Sequence, residues 1–202
     1  MTEVSINKQV KLSEHFTLGE LCKTGVKTAD GNIPSHVHIE NLKRVCEWLE
    51  ELRRRYNQQY VCENEERSVS PPELGGARGG LNEGMSGASS DHPAHTGTPP
   101  NLGGEINTDA PIIITSGYRS PALNKKVGGS PTSNHLTGCA VDIRVYGIEQ
   151  AMRYAVILMD YADETRQDYD ELLIEKNSRG AIWLHFAVRH KDNRRKTMFL
   201  QK

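Results

Sequence analysis

One loop and the strand after it decide the fold, and they occupy residues 133–145, SNHLTGCAVDIRV. His135 lies in a loop rich in glycine, serine and proline, and Asp142 lies inside the strand predicted over Ala140 to Val145. Because side chains alternate between the two faces of a strand, Asp142 points away from an apolar face that belongs to the core. A carboxylate in such a strand needs a partner, and a metal ion shared with an imidazole is one.

The elements around this stretch predict an α+β domain, with helices flanking a small, largely antiparallel sheet. The run PIIITSGY predicts a buried strand over Pro111 to Tyr118, and Ser120-Pro121 predicts the start of a short helix that ends at Val127. The spacing of apolar residues predicts a longer helix from Ile148 to about Tyr161. Its predicted core face consists of Ile148, Met152, Ala155, Val156 and Met159.

Two further strands are predicted to complete the sheet. They run from Leu172 to Glu175 and from Ile182 to Val188, and the turn-forming residues Asn177 to Gly180 predict an antiparallel hairpin. Alternation leaves Trp183, His185 and Ala187 on the face away from the core. His185 is therefore the candidate third ligand. Two histidines and one aspartate leave a fourth tetrahedral position open, which is typical of a catalytic zinc site.

The first part of the chain predicts two helices and a long insert. Thr17 and Glu20 form the capping box of a short helix, and apolar spacing predicts a longer helix from about Val37 to Tyr56. Residues 63–110 contain no aromatic residue and many glycines and prolines. We expect them to form a disordered insert within one domain spanning residues 1–202, because such a segment buries too little apolar surface to order itself.

Composition excludes several classes of protein. With 202 residues and a formal net charge of -1, the chain lacks the basic surface of a nucleic-acid-binding protein. It has no run of the ~20 apolar residues that a membrane-spanning helix needs. The first thirty residues lack the apolar segment of a secretory signal, so we expect the chain to be cytoplasmic as synthesised. We expect a monomer, and a basic C-terminal tail after Val188 that is solvated.

The motifs around the candidate ligands resemble those of the peptidase M15 family of zinc D-Ala-D-Ala carboxypeptidases and related peptidoglycan peptidases, which include phage endolysins. The resemblance rests on TSGYRSPALN at residues 115–124, VGGS at 127–130, SxHxxGxAxD at 133–142 and WxH at 183–185. Residues 12–21, LSEHFTLGEL, resemble the opening of the family's subfamily A branch, which is often phage- or prophage-borne. The resemblance implies the fold shared with hedgehog signalling domains.

The resemblance also implies roles for individual residues. His135, Asp142 and His185 would bind one Zn²⁺ per chain, and Arg119 would act in catalysis by holding a substrate carboxylate or developing oxyanion through its paired N–H groups. Trp183 and Ser133 are candidate substrate-binding residues. Trp183 would line the cleft or pack as an aromatic, and Ser133 would also support His135.

The sequence indicates the general base less directly than it indicates the metal ligands. Many family members have an acid three residues before the last histidine, and this sequence has Ile182 there. Our candidate is Glu175, because the hairpin brings it across from Ile182 or Trp183, and the alternatives are Asp170 and Glu171.

Three functions remain open at this point. The first is a zinc metallopeptidase that cuts peptidoglycan stem peptides or muropeptides, for example as an endolysin that a phage holin releases to the wall. The second is a non-catalytic zinc-binding structural or interaction domain of the same fold, which the isoleucine at position 182 favours. The third is a metal-free interaction domain. The sequence does not distinguish a D-Ala-D-Ala bond from an L-Ala-D-Glu or cross-bridge bond.

Overall fold

The computed structural model describes residues 7–61 and 109–201. The insert predicted at 63–110 therefore lies outside the described residues, except for its last two. Asp109 accepts hydrogen bonds from Arg53 and Asn57, and the backbone N–H of Ala110 donates to Asn57 over 2.7 Å. These contacts tie the start of the second described segment to the end of the long N-terminal helix.

Within these two segments the chain forms four α-helices and five strands. The helices are α1 (Leu18–Leu21), α2 (His36–Tyr56), α3 (Pro121–Lys126) and α4 (Ile148–Thr165). A wider π-helical turn, Asn57–Val61, extends α2, and a single 3-10 turn, Asn134–Thr137, precedes the second strand. The strands are β1 (Ile114–Ser116), β2 (Ala140–Arg144), β3 (Glu171–Lys176), β4 (Ile182–Ala187) and β5 (Lys196–Gln201).

The strands form one sheet in the order β1-β2-β4-β3-β5. Neighbouring strands are antiparallel except β3 and β5, which are parallel. The prediction of an α+β domain with a largely antiparallel sheet is confirmed. The predicted hairpin is also confirmed as β3 and β4. At its tip Asn177 Oδ1 accepts from the backbone of Arg179 and Ala181, and Gly180 takes a positive φ of 86°.

Helices α2 and α4 cover one face of the sheet and enclose the core. Trp48 of α2 packs on Phe186 of β4 with ring centroids 5.4 Å apart, and Tyr154 of α4 packs edge-on against Tyr56. Leu184 and Phe186 belong to this core, as their alternation in β4 predicts. His185 and Asp142 lie on the opposite face of the sheet, where no long helix covers them in the described residues.

The predicted core face of α4 is correct for Ala155, which is buried, and for Met159, which packs against the core. It is wrong for Ile148, Met152 and Val156, which are 42% to 48% exposed. The other buried residues of the helix are Ala151, Tyr154, Ile157, Leu158 and Ala162. No helix in residues 7–61 and 109–201 has the length and hydropathy to cross a membrane.

The C-terminal segment expected to be a solvated tail is in part a strand, although most of its side chains are exposed. Lys196–Gln201 forms β5 and pairs with β3 along its whole length. The turn before β5 is held to the start of β3 by Asp170. The side chain of Asp170 is fully buried and accepts hydrogen bonds from Arg189 and Arg194. An aspartate buried at the start of β3 needs cationic partners, and the basic residues after β4 supply them.

Candidate metal centre

A capped turn presents His135 to the open face of the sheet. Ser133 caps the 3-10 turn, and its hydroxyl accepts from the backbone N–H of His135 over 3.3 Å. Gly138 ends the turn with a φ of 72°, and a Cβ there would lie 2.6 Å from the carbonyl oxygen of His38. The serine and glycine of the SxHxxG pattern therefore shape the turn that holds the histidine.

The register of β2 and β4 brings the other two candidates together. Asp142 and His185 are directly opposite each other in this antiparallel pair. Both side chains are buried, with 8% and 7% of the residue exposed. Because directly opposed residues share a face, the pairing fixes an aspartate next to a histidine on the face that lacks the core.

Three donor atoms converge at this point. His135 Nε2 lies 3.3 Å from His185 Nδ1 and 3.3 Å from Asp142 Oδ1, and His185 Nδ1 lies 3.0 Å from Asp142 Oδ1. Tetrahedral zinc with ligands at 2.0–2.1 Å requires donor atoms about 3.3 Å apart. The three residues thus fit a zinc ion with little rearrangement, and they are the one group in the described residues whose donor atoms meet in this way.

Each of these side chains is held by a second contact. His135 Nδ1 lies 2.7 Å from the carbonyl oxygen of Gly117, which fixes the proton on Nδ1 and leaves Nε2 as the donor atom. Arg119 donates from Nη2 to Asp142 Oδ2 and from Nε to Ser116 Oγ over 2.8 Å. Arg119 therefore engages Oδ2 of Asp142, and Oδ1 is directed at the candidate metal centre.

The close approach at Gly117 requires glycine. A Cβ at this position would lie 2.2 Å from the carbonyl oxygen of Leu21, to which the N–H of Tyr118 donates over 2.7 Å. The glycine of the SGYR motif thus lets the strand end pack against α1 while its own carbonyl holds His135.

Charges at the centre shift the pKa values of its members in different directions. Burial lowers the pKa of His135. Burial also tends to lower the pKa of His185, but contacts with Asp142 and Glu171 outweigh it and raise that pKa to about 9. Burial alone would raise the pKa of Asp142, yet His135 and His185 hold it well below its usual value. A metal binds neutral imidazole and ionised carboxylate, so His185 would release a proton on metal binding.

The centre lies in an open cleft of about 740 Å³. Arg119, Ser133, Glu175 and Trp183 all line it, together with the three candidate ligands. Glu175 is opposite Trp183 in the hairpin register, as predicted, and only 3% of it is exposed. Asp170, one of the alternative bases, does not line the cleft and is enclosed by arginines.

The sequence named Glu171 only as an alternative base, and the basic wall behind it was not predicted. Glu171 lies 3.6 Å from His185 Nε2, closer than expected for an alternative base remote from the turn. Contact with His185, and then Arg194 and Asn134, lowers the pKa of Glu171 to about 2. Alternation along β3 puts Glu171 and Glu175 on one face. This alternation is the pattern in the sequence that identifies both as residues of the site. Arg194 and Lys196 also line the cleft, because β5 extends the sheet there.

Two imidazoles and a carboxylate that converge in a cleft define the donor set of a mononuclear metal site of the kind hydrolases use. Residues 105–168 match a family model described as Peptidase M15, which supports the resemblance to that family. The matched stretch contains Arg119, His135 and Asp142 and ends before β3. His185 therefore joins this group through the strand register rather than through the match. No curated protein matches the chain.

Proposed function

We propose that this chain is a zinc-dependent peptidase that hydrolyses peptide bonds in peptidoglycan stem peptides, as a D-Ala-D-Ala carboxypeptidase or a related endopeptidase. The observation that carries the proposal is the convergence of His135 Nε2, Asp142 Oδ1 and His185 Nδ1 at 3.0–3.3 Å inside an open cleft. A phage- or prophage-borne endolysin, released to the wall by a holin, is the setting we propose for this activity.

The three converging residues would hold the zinc ion. When bound, zinc would act as a Lewis acid that polarises the scissile carbonyl and makes water acidic enough to attack. Stabilisation of the charge that develops during hydrolysis needs a dry, preorganised site. The burial of all three side chains is consistent with such a site.

We propose Glu175 as the general base. It would accept a proton from the attacking water on a carboxylate oxygen and return it to the leaving amine. Its position in the cleft wall, two residue pairs along the hairpin from His185 and on the same face, supports this role. Ile182 cannot take a proton, so an acid has to come from the neighbouring strand.

We propose that Arg119 and Trp183 bind the substrate. Two nitrogens of the Arg119 guanidinium contact Ser116 and Asp142, and the group still faces the cleft. Its remaining N–H groups can hold a substrate carboxylate or a developing oxyanion. Trp183 offers an apolar wall next to Glu175, and Ser133 borders the same cleft.

A digestion experiment tests the proposal. Purified zinc-loaded protein is incubated with a muropeptide that ends in D-Ala-D-Ala and with cross-linked muropeptides, and products are identified by mass spectrometry. We expect hydrolysis by the wild type, none by Glu175→Gln with zinc still bound, and unchanged hydrolysis by Glu149→Gln, an exposed glutamate on α4. Bound zinc without hydrolysis of any of these substrates would favour the non-catalytic domain, and a folded protein without zinc would overturn the proposal.

A further inference from the structure

Two glutamates of β3 flank His185. Leu173 is opposite His185 in the hairpin, so Glu171 and Glu175 lie two residue pairs to either side of it, on the same face. Glu171 Oε2 lies 3.6 Å from His185 Nε2. This contact is on the side of the imidazole ring that faces away from Asp142 and His135.

We propose that Glu171 is a positioning residue that holds Nε2–H of His185 and thereby leaves Nδ1 of that ring to bind the metal. The inference rests on the proposed function only in that it takes His135, Asp142 and His185 as the zinc ligands. It assigns Glu171 a role distinct from that of a general base.

Each candidate histidine ligand needs a hydrogen-bond acceptor for its second ring nitrogen. A metal-binding histidine usually donates its second ring N–H to a carbonyl or a carboxylate, and this contact fixes the tautomer and the ring orientation. His135 follows this rule through Nδ1 and the carbonyl of Gly117. His185 turns the opposite nitrogen, Nδ1, towards the centre, so its Nε2 needs an acceptor, and Glu171 lies in the right place.

Neighbouring side chains hold the Glu171 carboxylate in place. Asn134, next to His135 in the chain, donates to Glu171 Oε2 over 3.0 Å. Arg194 Nη2 lies 3.0 Å from Glu171 Oε1, and Lys196 Nζ lies 3.6 Å from the same oxygen. Two cations and an amide keep this carboxylate charged and fixed, which suits a group that orients a ring and does not suit a group that must shuttle protons.

The metal would lie on the Nδ1 side of His185, and Glu171 lies beyond Nε2 on the other side of the ring. Glu171 thus meets the ring nitrogen of His185 that is not directed at the other two candidate ligands. We assign orientation of the ring to Glu171 and proton transfer to Glu175, which lines the same cleft.

Zinc affinity provides the first test, with Glu175→Gln as the matched control on the same strand face. The full chain is titrated with Zn²⁺ against a chromophoric chelator for wild type, Glu171→Gln, Glu171→Ala and Glu175→Gln. We expect the dissociation constant to rise about 10- to 100-fold in Glu171→Ala, less in Glu171→Gln, which keeps an acceptor oxygen, and not in Glu175→Gln. Wild-type affinity in folded Glu171→Ala would overturn the inference, and so would an equal loss in Glu175→Gln.

Nuclear magnetic resonance provides a readout that a merely structural role would not change. Long-range ¹H–¹⁵N correlations of the zinc-loaded wild type should place the ring proton of His185 on Nε2, with slow exchange against solvent. In Glu171→Gln that proton should exchange faster. A proton on Nδ1 in the wild type, or unchanged exchange in the variant, would contradict the assignment.

The two proposals fail in different ways. A folded wild-type chain that binds no zinc overturns the proposed function. A Glu171→Ala variant with wild-type zinc affinity and wild-type hydrolysis overturns only the role of Glu171. If Glu171→Ala does not fold by circular dichroism, the comparison of Glu171→Gln with Glu175→Gln decides the inference, because neither substitution changes side-chain size.

Discussion

Asp142 and His185 lie directly opposite each other in the antiparallel pair β2 and β4, with Oδ1 and Nδ1 3.0 Å apart. Two of the three candidate ligands are thus positioned by strand register alone. A shift of either strand by one residue would turn its own candidate ligand into the core. The core residues Val141 and Phe186, opposite each other in the next pair, prevent that shift because they are fully buried.

The first prediction concerns zinc and stability. A ligand that binds only the folded state at about 100 times its dissociation constant adds about 2.7 kcal/mol to the free energy of unfolding. For a chain of this size, that raises the melting temperature by roughly 5–10 °C. We expect this rise for the wild type in a thermal melt with added Zn²⁺, and none for Asp142→Asn.

His36→Ala is the matched control for this melt. His36 is at the exposed start of α2, with 86% of its side chain accessible, and its loss should leave the effect of zinc unchanged. An equal rise in melting temperature for wild type and Asp142→Asn would show that zinc binds elsewhere.

How much of this site follows from the sequence depends on how each residue is held. The α+β fold, helix α2 and the β3–β4 hairpin follow from periodicity and turn chemistry, and so does the sharing of a face by Asp142 and His185. The pairing of β2 with β4 joins residues more than forty positions apart, and periodicity carries no information on such pairing. The family motif supplied that link.

The parts that the sequence analysis missed have physical reasons. Strand β5 was not predicted because the charged run before it is typical of a solvated tail, and only the burial of Asp170 explains why it folds back. The face of α4 was only partly predicted because hydropathy favours Ile148 and Met152, which are exposed, whereas the helix buries Ala151 and Ala162. Glu171 was named only as an alternative base, because sequence spacing does not reveal which ring nitrogen of His185 it meets.

The second prediction concerns Arg119. Arg119→Lys keeps a positive charge near Asp142 but cannot contact Ser116, Asp142 and a substrate oxygen together, because lysine lacks the planar set of donors. We expect kcat/KM on a muropeptide to fall about 100- to 1,000-fold, with one zinc per chain retained by elemental analysis. Full activity of this variant would remove Arg119 from the catalytic group.

The third prediction concerns Gly117. A Cβ at this position would lie 2.2 Å from the carbonyl oxygen of Leu21, so Gly117→Ala must displace either α1 or the end of β1. We expect a loss of about 1–3 kcal/mol in the free energy of unfolding, measured by urea denaturation. Zinc affinity should also fall, because the carbonyl that holds His135 moves.

Gly25→Ala is the control for this substitution. A Cβ at Gly25 would have no heavy atom within 4 Å, so the variant should unfold at the same urea concentration as the wild type. Equal stability of Gly117→Ala and Gly25→Ala would mean that the contact with Leu21 is not required.

The fourth prediction concerns acid stability. Burial alone would raise the pKa of Asp170, but hydrogen bonds from Arg194, Asn134 and Arg189 lower it to about 2. Because this value lies below that of an unfolded aspartate, about 3.9, the ionised side chain stabilises the fold above pH 4, and this contribution is lost as the pH falls towards 2. At pH 6 we expect Asp170→Asn to be less stable than wild type by about 2 kcal/mol.

Urea denaturation at pH 6, 4 and 3 measures this difference. The gap between wild type and Asp170→Asn should narrow from pH 4 to pH 3, since the unfolded aspartate takes up a proton there while the folded carboxylate stays ionised. A gap that stays constant over this range would show that Asp170 contributes through shape and not through its charge.

The fifth prediction compares two neighbouring arginines at the entry to β5. Arg194 contacts Asp170, which is fully buried, and Glu171, whose side chain is 16% exposed. Arg195 contacts Asp163 and Asp168, whose side chains are 67% and 56% exposed. Exposed ion pairs contribute about 0–1 kcal/mol, whereas loss of a hydrogen bond to a buried charge costs about 1–3 kcal/mol.

We therefore expect Arg194→Ala to lose about 1–3 kcal/mol of unfolding free energy by urea denaturation, and Arg195→Ala to lose less because its carboxylate partners are exposed. Zinc affinity should fall in Arg194→Ala alone, because Arg194 also holds Glu171 behind His185. Equal effects of the two substitutions on stability and on zinc would mean that β5 is attached to the sheet by its backbone pairing and that its basic residues do not support the metal centre.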